Sequence, residues 1–170
     1  KPLVQHLIDT VDTFQSSKTS IVVGYKSNEV ERDLVSQKKL RFVKQKNQLG
    51  TAHAVKQAVP NIRKNSVAVI LYGDVPLVKK NTLNRLIKSA STGKLSLLTF
   101  IKEDPTGYGR IIRGSRKNVQ KITEHKDASS AEKEIREVNS GILAIKASLL
   151  QQFISKIKNN NVAKEYYLTD

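Results

Sequence analysis

Val67-Ala68-Val69-Ile70-Leu71 is an unbroken apolar run that passes directly into Tyr72-Gly73-Asp74. A strand with one wet face alternates apolar and polar residues, so a run without alternation predicts a strand covered on both faces, inside a sheet flanked by helices. The segments around it agree. Pro2 followed by Leu3, Val4, Leu7, Ile8, Val11 and Phe14 has helical spacing, with proline where a helix start tolerates it. Ile21 to Val23 reads as a short strand ending at Gly24, and Val30, Leu34 and Val35 suggest a second amphipathic helix. Leu40 to Val43 is a further strand. Gly50 then opens a helix-forming stretch, Thr51 to Val55, that is stopped near Pro60. Beyond the central run, the pattern predicts a helix from Asn81 to Ser89 and a strand from Leu95 to Ile101. Shorter strands follow at Arg110 to Arg113, Val119 to Ile122 and Ile142 to Ile145, with a last helix over Ala147 to Lys156. Strands alternating with helices imply an α/β sandwich with a mostly parallel central sheet.

With 170 residues, 38% of them hydrophobic, the chain reads as one domain, 1–170, able to bury one ordinary core. It contains no run of about 18 apolar residues and no basic-then-apolar leader, so neither a membrane span nor a secretory signal is read from it. The absence of cysteine excludes disulfides, a cysteine nucleophile and a thiolate zinc site. Thirty Lys and Arg against fifteen Asp and Glu give a net charge of +15, which raises the question of a nucleic-acid partner. The distribution argues against one. The basic residues are spread along the chain in pairs such as Lys38-Lys39 and Lys79-Lys80, and aromatic residues, at 5%, show no stacking pattern. Diffuse charge of this kind belongs to a solvated surface, or to attraction of a phosphorylated substrate.

Several segments could carry chemistry. In an α/β sheet, ligands bind beyond the carboxyl ends of the strands, which is where Asp74 falls. A carboxylate there can hold Mg²⁺ against phosphate oxygens, or simply close a turn. Gln45 through Ala54 carries a strand end through Gly50 into a helix start. This places backbone N–H groups, the Thr51 hydroxyl and the Gln45 amide at one ligand-facing edge, unless Thr51 only caps the helix. The amide of Gln45 offers a donor and an acceptor, matching the edge of uracil. His53, between alanines inside that helix, reads as packed rather than catalytic. Asp104-Pro-Thr-Gly-Tyr-Gly-Arg110 suits a turn folding over a ligand, or a plain hairpin. Glu124-His-Lys-Asp127 and Glu137-Val-Asn-Ser-Gly141 set single polar groups beside apolar strands, as binding groups or as exposed turns. No P-loop, dinucleotide or serine-hydrolase signature is present, nor a zinc spacing such as H-E-x-x-H.

Taken in order, Q-L-G-T-A-H-A, L-Y-G-D-V-P-L, D-P-T-G-Y-G-R-I, E-H-K-D-A, E-V-N-S-G-I and N-N-N-V-A-K-E-Y-Y-L-T-D form a series. It resembles the N-acetylglucosamine-1-phosphate uridyltransferase domain of the bacterial bifunctional enzymes that also acetylate glucosamine 1-phosphate. The match runs through essentially all 170 residues. The resemblance implies a Rossmann-like nucleotidyltransferase fold and a reaction in which UTP and N-acetylglucosamine 1-phosphate give UDP-N-acetylglucosamine and pyrophosphate. It implies Mg²⁺ as cofactor and a role in cell-envelope precursor synthesis in the cytoplasm. Carried over by motif, Gln45, Gly50 and Thr51 recognise the uridine, Tyr72 and Gly73 line the nucleotide, and Asp74 binds the metal. Gly109, Glu124 and Asn139 contact the N-acetylglucosamine unit. Ser140 stands where the family more often has threonine.

Other departures are larger. The family's opening glycine-rich phosphate loop, its downstream second metal contact (an asparagine) and its acetyltransferase β-helix with the homotrimer contacts have no counterpart in these residues. The expectation is a partial uridyltransferase domain, truncated at both ends and inactive alone. Two other classes remain open: a non-catalytic module that binds a sugar nucleotide, and a basic nucleic-acid-binding protein.

Overall fold

The computed structural model describes residues 2–15, 18–34, 36 and 40–170. The chain runs α1 (Leu3–Asp12), β1 (Ser20–Val23), α2 (Ser27–Asp33), β2 (Arg41–Lys44), α3 (Thr51–Ala58) and β3 (Val67–Ile70). It continues through α4 (Lys80–Ser91), β4 (Ser96–Ile101), β5 (Arg110–Arg113), β6 (Val119–Thr123), α5 (Ser130–Lys133), β7 (Glu137–Lys146) and α6 (Ala147–Phe153). Each helix and strand read from the periodicity is present. The helix read over Val30 and Leu34 closes at Asp33, with Leu34 already extended, and Val35 and the Lys38-Lys39 pair lie outside the described residues.

The central apolar run is apolar throughout because its two faces enter two different cores. Val67, Val69 and Leu71 pack against a cluster of Leu7, Val78, Leu83, Leu86, Ala90, Ile142 and Ala144, supplied by α1, the segment before α4, α4 and β7. Ala68 and Ile70 face the opposite way, into Ala52, Leu150 and Ile154 from α3 and the end of α6. β7 divides in the same manner, Ile142 and Ala144 to the first cluster and Ile145 to the second. On α4, Leu83, Leu86 and Ala90 recur at helical spacing and are all buried. Leu83 is only 2% exposed, and cutting a side chain so placed back to alanine costs about 2–5 kcal/mol.

The layers are those the sequence predicts, but the pairing is not mostly parallel. β1 and β2 form a parallel two-stranded sheet, whereas β3, β4, β5, β6 and β7 form a second sheet in which every registered pair is antiparallel. The cause is β7. Ala144 is registered with Val69 of β3 on one edge and with Ser96 of β4 on the other, so β7 lies reversed between two strands that point the same way. A strand buried on both faces is apolar in either direction, so composition carries no sign of this polarity. Between Leu97↔Leu143 and Thr99↔Asn139 the register shifts, β7 spending four residue steps where β4 spends two. Gly141 sits in that bulge with φ +79, and an added Cβ would lie 2.6 Å from the Tyr72 ring.

Candidate nucleotide and sugar site

Gln45 follows β2, where the parallel pair ends. It is 9% exposed and lines a cleft of about 490 Å³ together with Gly24, Tyr25, Lys26 and Lys46. Its amide nitrogen donates to the Gly50 carbonyl (3.3 Å) and lies 2.9 Å from Nδ1 of His53. The donor half of the amide is therefore engaged within the protein, and the carbonyl oxygen is the half left to meet a base. This corrects the expectation of a donor and an acceptor both offered outward. His53 is held on its other side by Gln57, 3.2 Å from Nε2, and is fixed within the fold, as the packed reading of the sequence expects.

Gly50 opens α3 at φ +108, and a Cβ there would come within 2.5 Å of the Tyr166 carbonyl oxygen. That crowding belongs to a tail that closes over the helix start. Tyr166 N–H donates to the Leu49 carbonyl and Ala52 N–H to the Tyr166 carbonyl, both at 2.8 Å. Leu168 N–H donates to the Thr51 hydroxyl at 2.9 Å. Two of the groups expected to face a ligand, the Ala52 N–H and the Thr51 hydroxyl, are thus bonded inside the chain. A helix start leaves orphan donors that must find partners, and in this fold residues far along the chain supply one.

On the other side, β5, β6 and β7 bring Gly109, Glu124 and Asn139 together. Asn139 N–H donates to the Gly109 carbonyl at 2.8 Å, and its side-chain oxygen accepts from Gly141 N–H at 3.1 Å. A Cβ on Gly109 would stand 3.2 Å from both Glu124 carboxylate oxygens, so no larger residue fits there without moving the acid. Thr169 donates its hydroxyl to Glu124 Oε1 at 2.8 Å. Ser140 donates to the Leu98 carbonyl at 2.7 Å and accepts from Ile142 N–H, which pins the bulge and turns the serine away from any ligand role.

Tyr72, just beyond β3, joins the two halves. Its ring covers Gly141, and its hydroxyl is hydrogen-bonded to Thr51. Burial pushes that hydroxyl above the usual tyrosine range; the Thr51 bond pulls it down, while the carboxylates of Glu124 and Asp74 push it up. It is neutral near pH 7 and remains a donor. Tyr167 is raised for the same reasons, first burial and then Glu165, Asp127, Glu124 and Asp170. Gly73 and Asp74 are exposed. Thr169 and Tyr167 were not singled out from sequence; their signal is the E-Y-Y-L-T-D motif, whose contacts lie with residues more than forty positions away.

Gly109 thus meets both Glu124 and Asn139, Gln45 meets Gly50, and Tyr72 reaches both Gly141 and Thr51, with Gly73 and Asp74 exposed next to it in the chain. Among the described residues no group of three or more metal-type side chains is assembled. A lone exposed aspartate nevertheless suits Mg²⁺, which keeps most of its waters and is held by one or two carboxylates plus substrate phosphates.

The profile of the family described as Nucleotidyl transferase matches residues 1–167. The chain belongs to the nucleotidyl transferase family. Among curated relatives, the chain is 45% identical over 170 residues to the Bifunctional protein GlmU of Cellvibrio japonicus and 47% identical over 168 residues to that of Ruthia magnifica. It spans 37% and 36% of their lengths, and 100% and 99% of its own. Among solved structures, an apo UDP-glucose pyrophosphorylase superposes with a TM-score of 0.74 at 15% identity, over all of this chain and 73% of the other. The same kind of enzyme complexed with UDP-glucose gives 0.71 at 16% identity, with the same coverage. At that identity the likeness shows the fold: the Rossmann-like nucleotidyltransferase fold expected from the motifs. Among the described residues no helix is long and apolar enough to cross a membrane.

Proposed function

We propose that these residues form the uridine- and sugar-recognising part of a Mg²⁺-dependent sugar-phosphate nucleotidyltransferase. It converts UTP and N-acetylglucosamine 1-phosphate into UDP-N-acetylglucosamine and pyrophosphate. The observation that carries the reading is the convergence of Gly109, just before β5, Glu124, just after β6, and Asn139 of β7, beside Tyr72, which also touches Thr51. The relatives named GlmU support it across the whole chain.

In this reading the Gln45 carbonyl oxygen accepts the N–H of uracil, and Gly50 lets the chain approach the nucleoside closely. Glu124 and Asn139 receive and donate hydrogen bonds to the sugar hydroxyl and amide groups. An oxygen of the sugar phosphate forms a bond to the α-phosphorus of UTP as the bond from that phosphorus to the β-phosphate bridging oxygen breaks, and pyrophosphate leaves with the electron pair. Asp74 would hold the metal, whose chemistry is to neutralise phosphate charge and align the two reactants. The protein's own task is positioning, and no covalent enzyme intermediate is required.

The test is pyrophosphate release from UTP and N-acetylglucosamine 1-phosphate with Mg²⁺, using protein expressed from the whole reading frame that contains these residues. Turnover with this pair and not with glucose 1-phosphate supports the reading. Saturable binding of UDP-N-acetylglucosamine without turnover places the protein with non-catalytic sugar-nucleotide modules. Retention on a polyanion that salt abolishes, with no nucleotide-sugar binding, places it with nucleic-acid binders.

A further inference from the structure

Arg110 is the largest fully buried side chain of the molecule among the described residues, at 1% exposure, and no ion pair between it and a carboxylate is formed there. Burying a cation is costly unless its hydrogen bonds are satisfied, so the bonds it makes indicate what it is for. One terminal nitrogen donates to the Tyr108 carbonyl. The other lies 3.3 Å from Nδ1 of His125 and 3.4 Å from the Lys133 carbonyl, at the end of α5. Nε is buried without a partner. The guanidinium is thus a three-way tie between the turn before β5, the loop after β6 and the end of the short helix α5. α5 is itself fastened by Ser129 and Glu132 in a reciprocal cap.

Two of these anchors are chain neighbours of the sugar-side residues. Tyr108 precedes Gly109, and His125 follows Glu124. An arginine has no acceptor, so Nδ1 of His125 must accept from it, and the neutral ring carries its proton on Nε2. Resting on the proposed function above, we infer that Arg110 is a positioning residue for sugar-phosphate selection. It holds Gly109 and Glu124 at their mutual distance through Tyr108 and His125, without touching substrate. A lysine in its place would keep the charge but present a single nitrogen to acceptors that the planar fork reaches at once.

The inference is tested in protein expressed from the whole reading frame. Arg110→Lys is expected to raise KM for N-acetylglucosamine 1-phosphate about tenfold, the scale of one lost charged hydrogen bond, while KM for UTP and kcat stay within about twofold. His125→Leu should reproduce that split. His125→Asn, which returns a carbonyl oxygen near the position of Nδ1, should restore much of the lost sugar affinity. A structural role alone would lower Tm and shift both substrates together. If Arg110→Lys does not fold, the His125 pair carries the decision. Amide exchange at Asn139, whose N–H bonds the Gly109 carbonyl, is read in parallel without substrate; it should quicken in His125→Leu and not in His125→Asn. Wild-type protein that turns over no sugar phosphate defeats the functional reading while leaving this exchange result to judge Arg110. Equal KM changes for both substrates, an asparagine no better than leucine, or unchanged exchange at Asn139 overturns the inference.

Discussion

The two ends of the site are built in different ways. At the uridine end the groups that face a ligand are held by partners distant along the chain: Tyr166 and Leu168 bond Leu49, Thr51 and Ala52, and only part of the Gln45 amide is left over. At the sugar end Gly109, Glu124 and Asn139 are set by strand register and by a bulge, and they face one another directly. Under the proposed function, the first end would recognise through what its internal bonds leave unused and the second through geometry already fixed. Substitutions at the two ends should therefore fail differently.

The largest effect is expected between them. Asp74→Asn should lower turnover by about 10²- to 10³-fold, the scale of losing one preorganised electrostatic contact. Because Asp74 is exposed, Tm should barely move. Pyrophosphate release and a melting curve on the same sample check this, and an active variant would place the metal elsewhere. Next come Glu124→Ala and Asn139→Ala, each leaving sugar polar groups unpaired at about 1–3 kcal/mol. Steady-state kinetics with both substrates varied should show the loss in KM for the sugar phosphate and little change in KM for UTP. Weaker UTP binding with unchanged sugar preference would erase the division drawn above.

Gln45→Glu probes the opposite end. A carboxylate cannot donate to the Gly50 carbonyl and would oppose it, so UTP affinity measured by calorimetry should fall by about tenfold, the cost of a buried acceptor left facing another. Undiminished affinity would remove Gln45 from the uracil site. The smallest effect concerns the scaffold of the sugar end. Lys121 first, then the Ser129 backbone and side chain, hold the Glu132 carboxyl down to about 2. A depressed acid stabilises the fold above its unfolded value of about 4.5 and loses that contribution as pH falls toward 2. Glu132→Gln should flatten the acid limb of Tm against pH in that window, and an unaltered limb would show that the cap on α5 contributes nothing.

Much of this was legible in the residues. The apolar run from Val67 to Leu71 announced a strand with two covered faces, and both core clusters bear it out. The order of the motifs singled out Gly109 and Asn139, which the fold bonds to each other, and Gln45 and Gly50, which it bonds likewise. What stayed hidden is non-local. Nothing in Ile142 to Ile145 states which way the strand runs, because apolar periodicity has no direction. Arg110 reads as one more basic residue in a turn motif until β6 and α5 close over it. Thr51 reads as a ligand-facing hydroxyl or as a helix cap, because its partner Leu168 is 117 positions away.

That last separation has a consequence for synthesis. A ribosome adding about 5–20 residues per second reaches Leu168 roughly 6 to 23 seconds after Thr51. Through that interval the α3 start has no tail to cover it. The α3 start is therefore finished well after its own residues are made.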